Sequence, residues 1–228
     1  MQKAKNIKIV SVDLFRTLID VDPPTESHWQ QFMRMNLPAD IARRYWHRAD
    51  EILSRRWDEA GIDEKQFKSV RTILEDVGKE LFAEADIDYD PRQAADIIMH
   101  YHTVENVFSD AKQFLNAVGA KYPVCLSTDA DTTMLENINQ FYAFDAIFVS
   151  EELRAYKLNP TFFQKVISHY NVLPENILHI GDSKSDIIVP KQLGIQTCWL
   201  NRYSRIWEHN VKPDFEVKSL LEIADLLD

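Results

Sequence analysis

"KIVSVDLFRTLID", residues 8–20, is a mostly β-branched run that ends at Asp13 and continues through Phe15, Thr17 and Leu18. β-branched side chains pack well on a pleated, buried surface, so residues 7–12 are predicted to form a strand with a carboxylate at its end. Similar short runs occur at residues 124–127, 146–149, 177–180 and 197–200, and amphipathic stretches of helical length separate the later ones. Strands alternating with helices imply an α/β fold, a doubly wound parallel sheet with helices on both faces.

The first strand stands apart from the others. Between them, from about Asp22 to Val104, the chain is rich in Arg, Glu, Ala, Trp and Ile at helical spacing, as in "ADIARRYWHRADEILSRRW" and "FKSVRTILEDVGKELFAEA". Residues 1–21 and 105–228 are therefore expected to form the α/β core, and residues 22–104 an inserted all-helical domain. The insertion is opened by the turn signal "DVDPPT" and closes near Glu105.

The 228 residues suffice for one ordinary core plus such an insertion. With 45% hydrophobic and 27% charged residues the chain reads as globular. Its formal charge of -10 argues against nucleic-acid or anionic-membrane partners. No apolar run approaches the roughly 18 residues of a membrane span, and "MQKAKNIK" lacks a signal peptide's apolar stretch. A cytoplasmic location is expected. Cys125 and Cys198 sit in short apolar runs without metal-site or redox spacing and read as buried thiols.

Topology points to the site before any motif does. In an open parallel sheet, ligands bind beyond the carboxyl ends of the strands. The residues arriving there are Asp13, Ser127-Thr128-Asp129, Ser150-Glu151 and "GDSKSD" from Gly181 to Asp186. Asp13, Asp182 and Asp186 are thus brought to one rim, where they repel unless a cation lies between them. Hard oxygen ligands favour Mg²⁺. The competing reading is that Asp182 and Asp186 cap the following helix. Lys157, in "RAYKLNPTFF", is on its own most often a solvated surface residue.

In these segments the chain resembles the haloacid dehalogenase superfamily of hydrolases. "VDLFRTL" is similar to the first motif, "VCLST" to the second, "KLNPTFF" to the lysine-containing third with Leu158 in place of a proline, and "HIGDSKSD" to the fourth, of Gly-Asp-x-x-x-Asp form. The later "CWLNR" and "KPDFEVKSLLEIADLL" also resemble the end of that fold, and the insertion falls where the family carries a four-helix cap.

The resemblance implies a Rossmann-like core and assigns roles. Asp13 is the nucleophile, forming an aspartyl-phosphate, and Thr17 supports its loop. Ser127, Thr128 and Lys157 bind the transferred group. Mg²⁺ is held by Asp13, Asp182 and the main-chain carbonyl of Phe15, with Asp186 in an outer position or bound through water. The partner is then a small anionic phosphorylated metabolite.

Phe15 occupies the place of the usual second aspartate, a general acid–base group typically worth about 10²–10⁴-fold. Three explanations are open: a phosphatase that obtains its proton elsewhere, a haloacid dehalogenase whose halide needs none, or a non-catalytic binder. "GDSKSD" speaks against the dehalogenase, which by the family resemblance carries serine and asparagine there and uses no metal; the retained Asp13, Lys157 and Asp182 speak against the silent binder. Metal-dependent phosphoryl hydrolysis leads.

Arg16, where the family usually has glycine, either clamps a substrate anion or points outward. In the insertion, Trp29, Trp46 and Trp57 read as a core stripe, and the basic cluster from Arg43 to Arg48 as a solvated face. His100 and His102 fall on different helix faces and make a poor metal pair. His179 is expected to be packed within its strand. Pro190 is tolerated if its helix begins near Ser185.

Overall fold

A computed structural model describes residues 3–21, 37–62, 67–102 and 106–227. Among them, six parallel strands form one sheet: β1 (Ile9–Val12), β2 (Val124–Thr128), β3 (Ala146–Val149), β4 (Ile177–Gly181), β5 (Gln196–Leu200) and β6 (Phe215–Val217). Their order is β3-β2-β1-β4-β5-β6. The chain leaves β1 toward β2 and β3, then returns to the other side of β1 for β4. The sheet therefore switches direction at β1, where ligands of open α/β sheets bind.

β1 is central and buried on both faces, as its near-continuous β-branched run requires. Val12 pairs with Leu126 on one side and Ile180 on the other. The next residues along, Asp13, Ser127 and Gly181, consequently arrive level with one another. β6 was not foreseen as a strand. Only Phe215 and Val217 of its three residues are buried, and so short an alternation carries little signal of its own.

By its contacts the chain divides into two compact units, Met1–Asp20 with Val104–Asp228, and Val21–Thr103. The second unit contains α1 (Ala39–Ile62), α2 (Val70–Ala85) and α3 (Pro91–Tyr101). Ser69 caps α2 by accepting from the Thr72 N–H, and Asp90 caps α3 by accepting from the Arg92 N–H. Pro91 takes the first helical position, where it needs no donor. Ala42, Ile52, Val77, Leu81, Phe82 and Ala94 form the core of this unit.

Trp46 and Trp57 are half-buried. Trp29, the "DVDPPT" turn beyond Val21, and Glu105 lie outside the described residues. Arg48 pairs with Glu51 one turn along α1 and with Glu84 of α2. His102 turns its Nδ1 to the Ile98 carbonyl, 2.8 Å away, while His100 is exposed.

In the first unit, α4 (Ala111–Gly119) and α5 (Pro160–Tyr170) are followed by α6 (Ile188–Gln192). Phe162, Phe163 and Val166 of α5 pack with Ile9, Cys125 and Ile177 in the core. A 3₁₀ turn at Lys184–Asp186 precedes α6, which begins at Ile188 rather than near Ser185. Pro190 thereby falls in the first helical turn, where its missing N–H is harmless. Cys125 and Cys198 are buried free thiols, and burial pushes Cys125 up to about 11.

Candidate active site

After β3, a helical turn at Ser150–Leu153 ends on Arg154 in the left-handed region, and Ala155, Tyr156 and Lys157 are then buried. This reversal carries Lys157 inward, although a lysine in such a stretch is ordinarily solvated. Its side chain is 3% exposed, and Nζ lies 2.6 Å from both Asp13 Oδ1 and Asp186 Oδ1. Its backbone N–H donates to Asp129 Oδ1 at 2.9 Å. Burial alone would lower the ammonium's pKa, but Asp13, Asp186 and Asp129 together raise it, so Lys157 stays charged.

Asp186 is saturated. Oδ1 faces Lys157 and His179 Nε2, and Oδ2 accepts from the Ser183 N–H at 3.0 Å and the Ser183 hydroxyl at 2.6 Å. Burial would raise this carboxyl, yet Lys157 and His179 hold it well below the usual range. It thus caps its turn and anchors Lys157 at once. Gly181 makes room for it: a Cβ at that position would stand 2.2 Å from Asp186 Cγ.

Asp182 completes the rim, and one ligand oxygen from each of Asp13, Asp182 and Asp186 lies within 4.8 Å of the others. Arg205 Nη2 donates to Asp182 Oδ2 at 2.9 Å and to its carbonyl at 2.8 Å, and Trp199 Nε1 donates to the same carbonyl at 2.9 Å. Even so, burial and Asp186 raise the Asp182 carboxyl against the pull of Arg16 and Arg205. Asp13 stands well above its ordinary value because burial, with Asp186 and Asp182, outweighs Lys157. The rim is short of positive charge. Three buried carboxylates with hard oxygens fit a divalent cation on that ground.

The loop carrying Asp13 is tied at several points. Thr17 Oγ1 donates to Asp13 Oδ2 at 3.2 Å, and the Leu18 N–H donates to the Leu14 carbonyl at 2.8 Å. Arg16 adopts φ +59 within this turn, a conformation that favours glycine. Arg202 holds the loop from outside: Nη2 donates to the Thr17 carbonyl at 2.8 Å while the guanidinium grips Asp110 through two 2.9 Å bonds and stacks on Phe108.

Thr128 Oγ1 is buried with no partner among the described residues. Ser127 Oγ lies 2.8 Å from Ser11 Oγ, which in turn lies 2.8 Å from His179 Nδ1. Ser11, Asp129, Ser183, Arg202 and Arg205 therefore join the site without having been singled out as its residues. Asp129 had been placed at the rim by topology alone. Arg205 follows β5 in an irregular segment where no periodicity marks it, and Ser11 reads as one more strand residue.

Several solved structures and curated proteins are similar to this chain. A hydrolase from Bacillus subtilis, YfnB, bound to magnesium in its crystal, superposes with a TM-score of 0.80 at 19% identity, covering 98% of this chain and 100% of that one. The glyceraldehyde 3-phosphate phosphatase of Pyrococcus furiosus is 22% identical over 98% of this chain and 94% of its own length. The pyrimidine 5'-nucleotidase YjjG of Escherichia coli is 29% identical over 51% of this chain. The chain spans only 38% and 55% of the first two curated relatives it matches. Haloacid dehalogenases also superpose, one with a TM-score of 0.79 at 16% identity, a likeness of fold. The sequence pattern of haloacid dehalogenase-like hydrolases matches residues 7–194, a span containing Asp13, Lys157, Asp182 and Asp186, and the protein belongs to that family.

Proposed function

We propose that the protein is a metal-dependent hydrolase of a small phosphate monoester, acting through an aspartyl-phosphate on Asp13. Asp182 carries this reading. A third buried carboxylate beside Asp13 and Asp186 raises the electrostatic cost of the rim, and a divalent cation offsets it. Asp13, Asp182 and the main-chain carbonyl of Phe15 would hold Mg²⁺, with Asp186 behind them; bound there, the ion neutralises phosphoryl charge.

The chain's own residues do the rest. Lys157 on Oδ1 and Thr17 on Oδ2 fix the plane of the Asp13 carboxylate. Asp13 attacks phosphorus, the bond to the leaving oxygen breaks, and water then releases phosphate and restores the carboxylate. Lys157 Nζ and the Thr128 hydroxyl are assigned to the equatorial oxygens, and Arg16 to a second anionic group of the substrate. Phe15 offers no proton, so the leaving oxygen takes one from the substrate, from the inserted segment or from water.

Residues 22–104 are assigned the part of a helical cap that sets substrate choice. The phosphatase and nucleotidase among the relatives support phosphoryl chemistry. The net charge of -10 supports a small anionic metabolite over nucleic acid as partner. No helix among the described residues is long and apolar enough to cross a membrane, and a cytoplasmic location belongs to this proposal.

Phe15 favours a second reading, haloacid dehalogenation, because a leaving halide needs no proton. Asp182 counts against it. Purified protein assayed against phosphate monoesters and 2-haloacids, each with Mg²⁺ and with EDTA, separates the two. Turnover of a phosphate ester that requires Mg²⁺ and disappears in Asp13→Asn is expected; halide release undiminished in EDTA would establish the dehalogenase instead.

A further inference from the structure

Between β5 and β6 the chain makes a loop built around Asn201, a buried side chain. Its Oδ1 accepts from the Arg205 N–H at 2.8 Å, and its Nδ2 donates to the Arg205 carbonyl at 2.9 Å and to Glu216 Oε1 at 2.7 Å. Both amide hydrogens and the amide oxygen are thus used, and only one orientation of the group satisfies all three partners. The Asn201 N–H donates to the Val217 carbonyl at 2.7 Å, tying the base of the loop to β6. The turn closes through Ser204 at φ +52, a conformation that disfavours any residue with a Cβ. One side chain therefore holds both backbone polar groups of Arg205.

What this loop places is a guanidinium. Arg205 Nη2 spends both hydrogens on Asp182, one on Oδ2 at 2.9 Å and one on the main-chain carbonyl at 2.8 Å. Trp199 Nε1 donates to the same carbonyl at 2.9 Å, and Trp207 packs edge-on against Trp199 with ring centroids 4.9 Å apart. Stability alone does not account for the arrangement. The Arg205 side chain is 42% exposed, and exposed ion pairs contribute little. The effect falls on the carboxylate instead: with the carbonyl and Oδ2 both held, Asp182 cannot turn, and its Oδ1 accepts no hydrogen bond among the described residues.

We propose that Arg205 is a positioning residue that occupies Oδ2 of Asp182, so that this carboxylate offers a cation one oxygen, and that the rim thereby prefers Mg²⁺ to Ca²⁺. Ca²⁺ tolerates flexible coordination and takes carboxylates through both oxygens, whereas the smaller Mg²⁺ demands near-octahedral geometry. The two oxygens of one carboxylate stand too close together to fill two octahedral corners, so holding one of them back costs Mg²⁺ nothing and denies Ca²⁺ a ligand. Groups that orient a metal ligand from behind in this way typically contribute a factor of about 10–100 in affinity. Asn201 acts one step further out, by fixing Arg205.

This role rests on the metal-dependent reading above, and binding measured without turnover keeps the two apart. Metal-free protein is titrated with Mg²⁺ and with Ca²⁺ by calorimetry in the wild type, Arg205→Met and Asn201→Ala, with melting temperatures recorded for each. Arg205→Met is expected to weaken Mg²⁺ binding about tenfold and Ca²⁺ binding clearly less, because Oδ2 becomes available to the larger ion. The preference for Mg²⁺ then falls. Asn201→Ala leaves the guanidinium in the protein but frees it, and is expected to move the preference the same way by a smaller factor.

Two ions of equal charge separate geometry from electrostatics. Equal changes for Mg²⁺ and Ca²⁺ in Arg205→Met would show that the guanidinium acts only through its charge, and would overturn the proposal while leaving the metal site in place. An unchanged preference in a folded Asn201→Ala would remove Asn201 from it; should that variant not fold, Arg205→Met decides alone. A wild type that binds neither ion removes the metal-dependent reading and this role with it.

Discussion

Lys157 and Asp13 meet through a 2.6 Å bond between Nζ and Oδ1, and the same ammonium lies 2.6 Å from Asp186 Oδ1. One buried cation thus serves two buried carboxylates, and its removal strands both. Taking one partner from a buried ion pair typically costs about 3–5 kcal/mol because the remaining charge is uncompensated.

Lys157→Met is accordingly expected to destabilise the fold by about 3 kcal/mol or more at neutral pH and to abolish turnover. Asp186→Asn added to it is expected to recover part of the stability and none of the activity. Urea denaturation of the single and double variants checks this; purely additive losses would show that the two residues are not coupled.

If Phe15 marks a missing acid, hydrolysis by the wild type is expected to depend steeply on leaving-group pKa, and the aspartyl-phosphate to break down slowly. Phe15→Asp is expected to raise turnover of poor leaving groups most, by up to about 10²–10⁴-fold. Single-turnover and steady-state rates for a graded series of aryl phosphates measure this. Unchanged leaving-group sensitivity would restrict Phe15 to packing or specificity.

Arg16 combines an exposed side chain with a left-handed backbone at φ +59. Glycine adopts that conformation without the Cβ penalty of roughly 1–2 kcal/mol. Arg16→Gly is therefore expected to leave the melting temperature unchanged or raised while increasing KM for substrates with a second anionic group. An unchanged KM across such substrates would remove Arg16 from the binding site.

The pair of Asp110 and Arg202 should make stability acid-sensitive. Burial would raise the Asp110 carboxyl, but the Arg202 guanidinium, the Ser219 hydroxyl and the Leu220 N–H hold it below its usual range. A group whose folded pKa is depressed contributes stability above its unfolded value, near 3.9, that is lost as pH falls through the folded one. Asp110→Asn is expected to lower the melting temperature at pH 7 and to narrow its gap from wild type below about pH 4. A constant gap from pH 7 to pH 3 would refute the linkage.

The alternation of β-branched runs with helical stretches was enough to establish the parallel sheet, because hydrophobic periodicity is local and a buried parallel strand has few other compositions open to it. Chain topology then placed Asp13, Asp182 and Asp186 at one rim, since residues that end neighbouring parallel strands must arrive together. β6 escaped because a three-residue strand has too little periodicity to read.

Lys157 is the opposite case. Nothing local distinguishes it from a solvated lysine; its charge is drawn inward by Asp13 and Asp186, one far away along the chain and the other across the sheet. The same holds for Arg202, Arg205 and the bonds from Ser127 to His179. Hydrogen bonds and ion pairs are short-ranged and directional, so their partners follow from how strands and loops are brought side by side, whereas burial preference is written into each segment on its own.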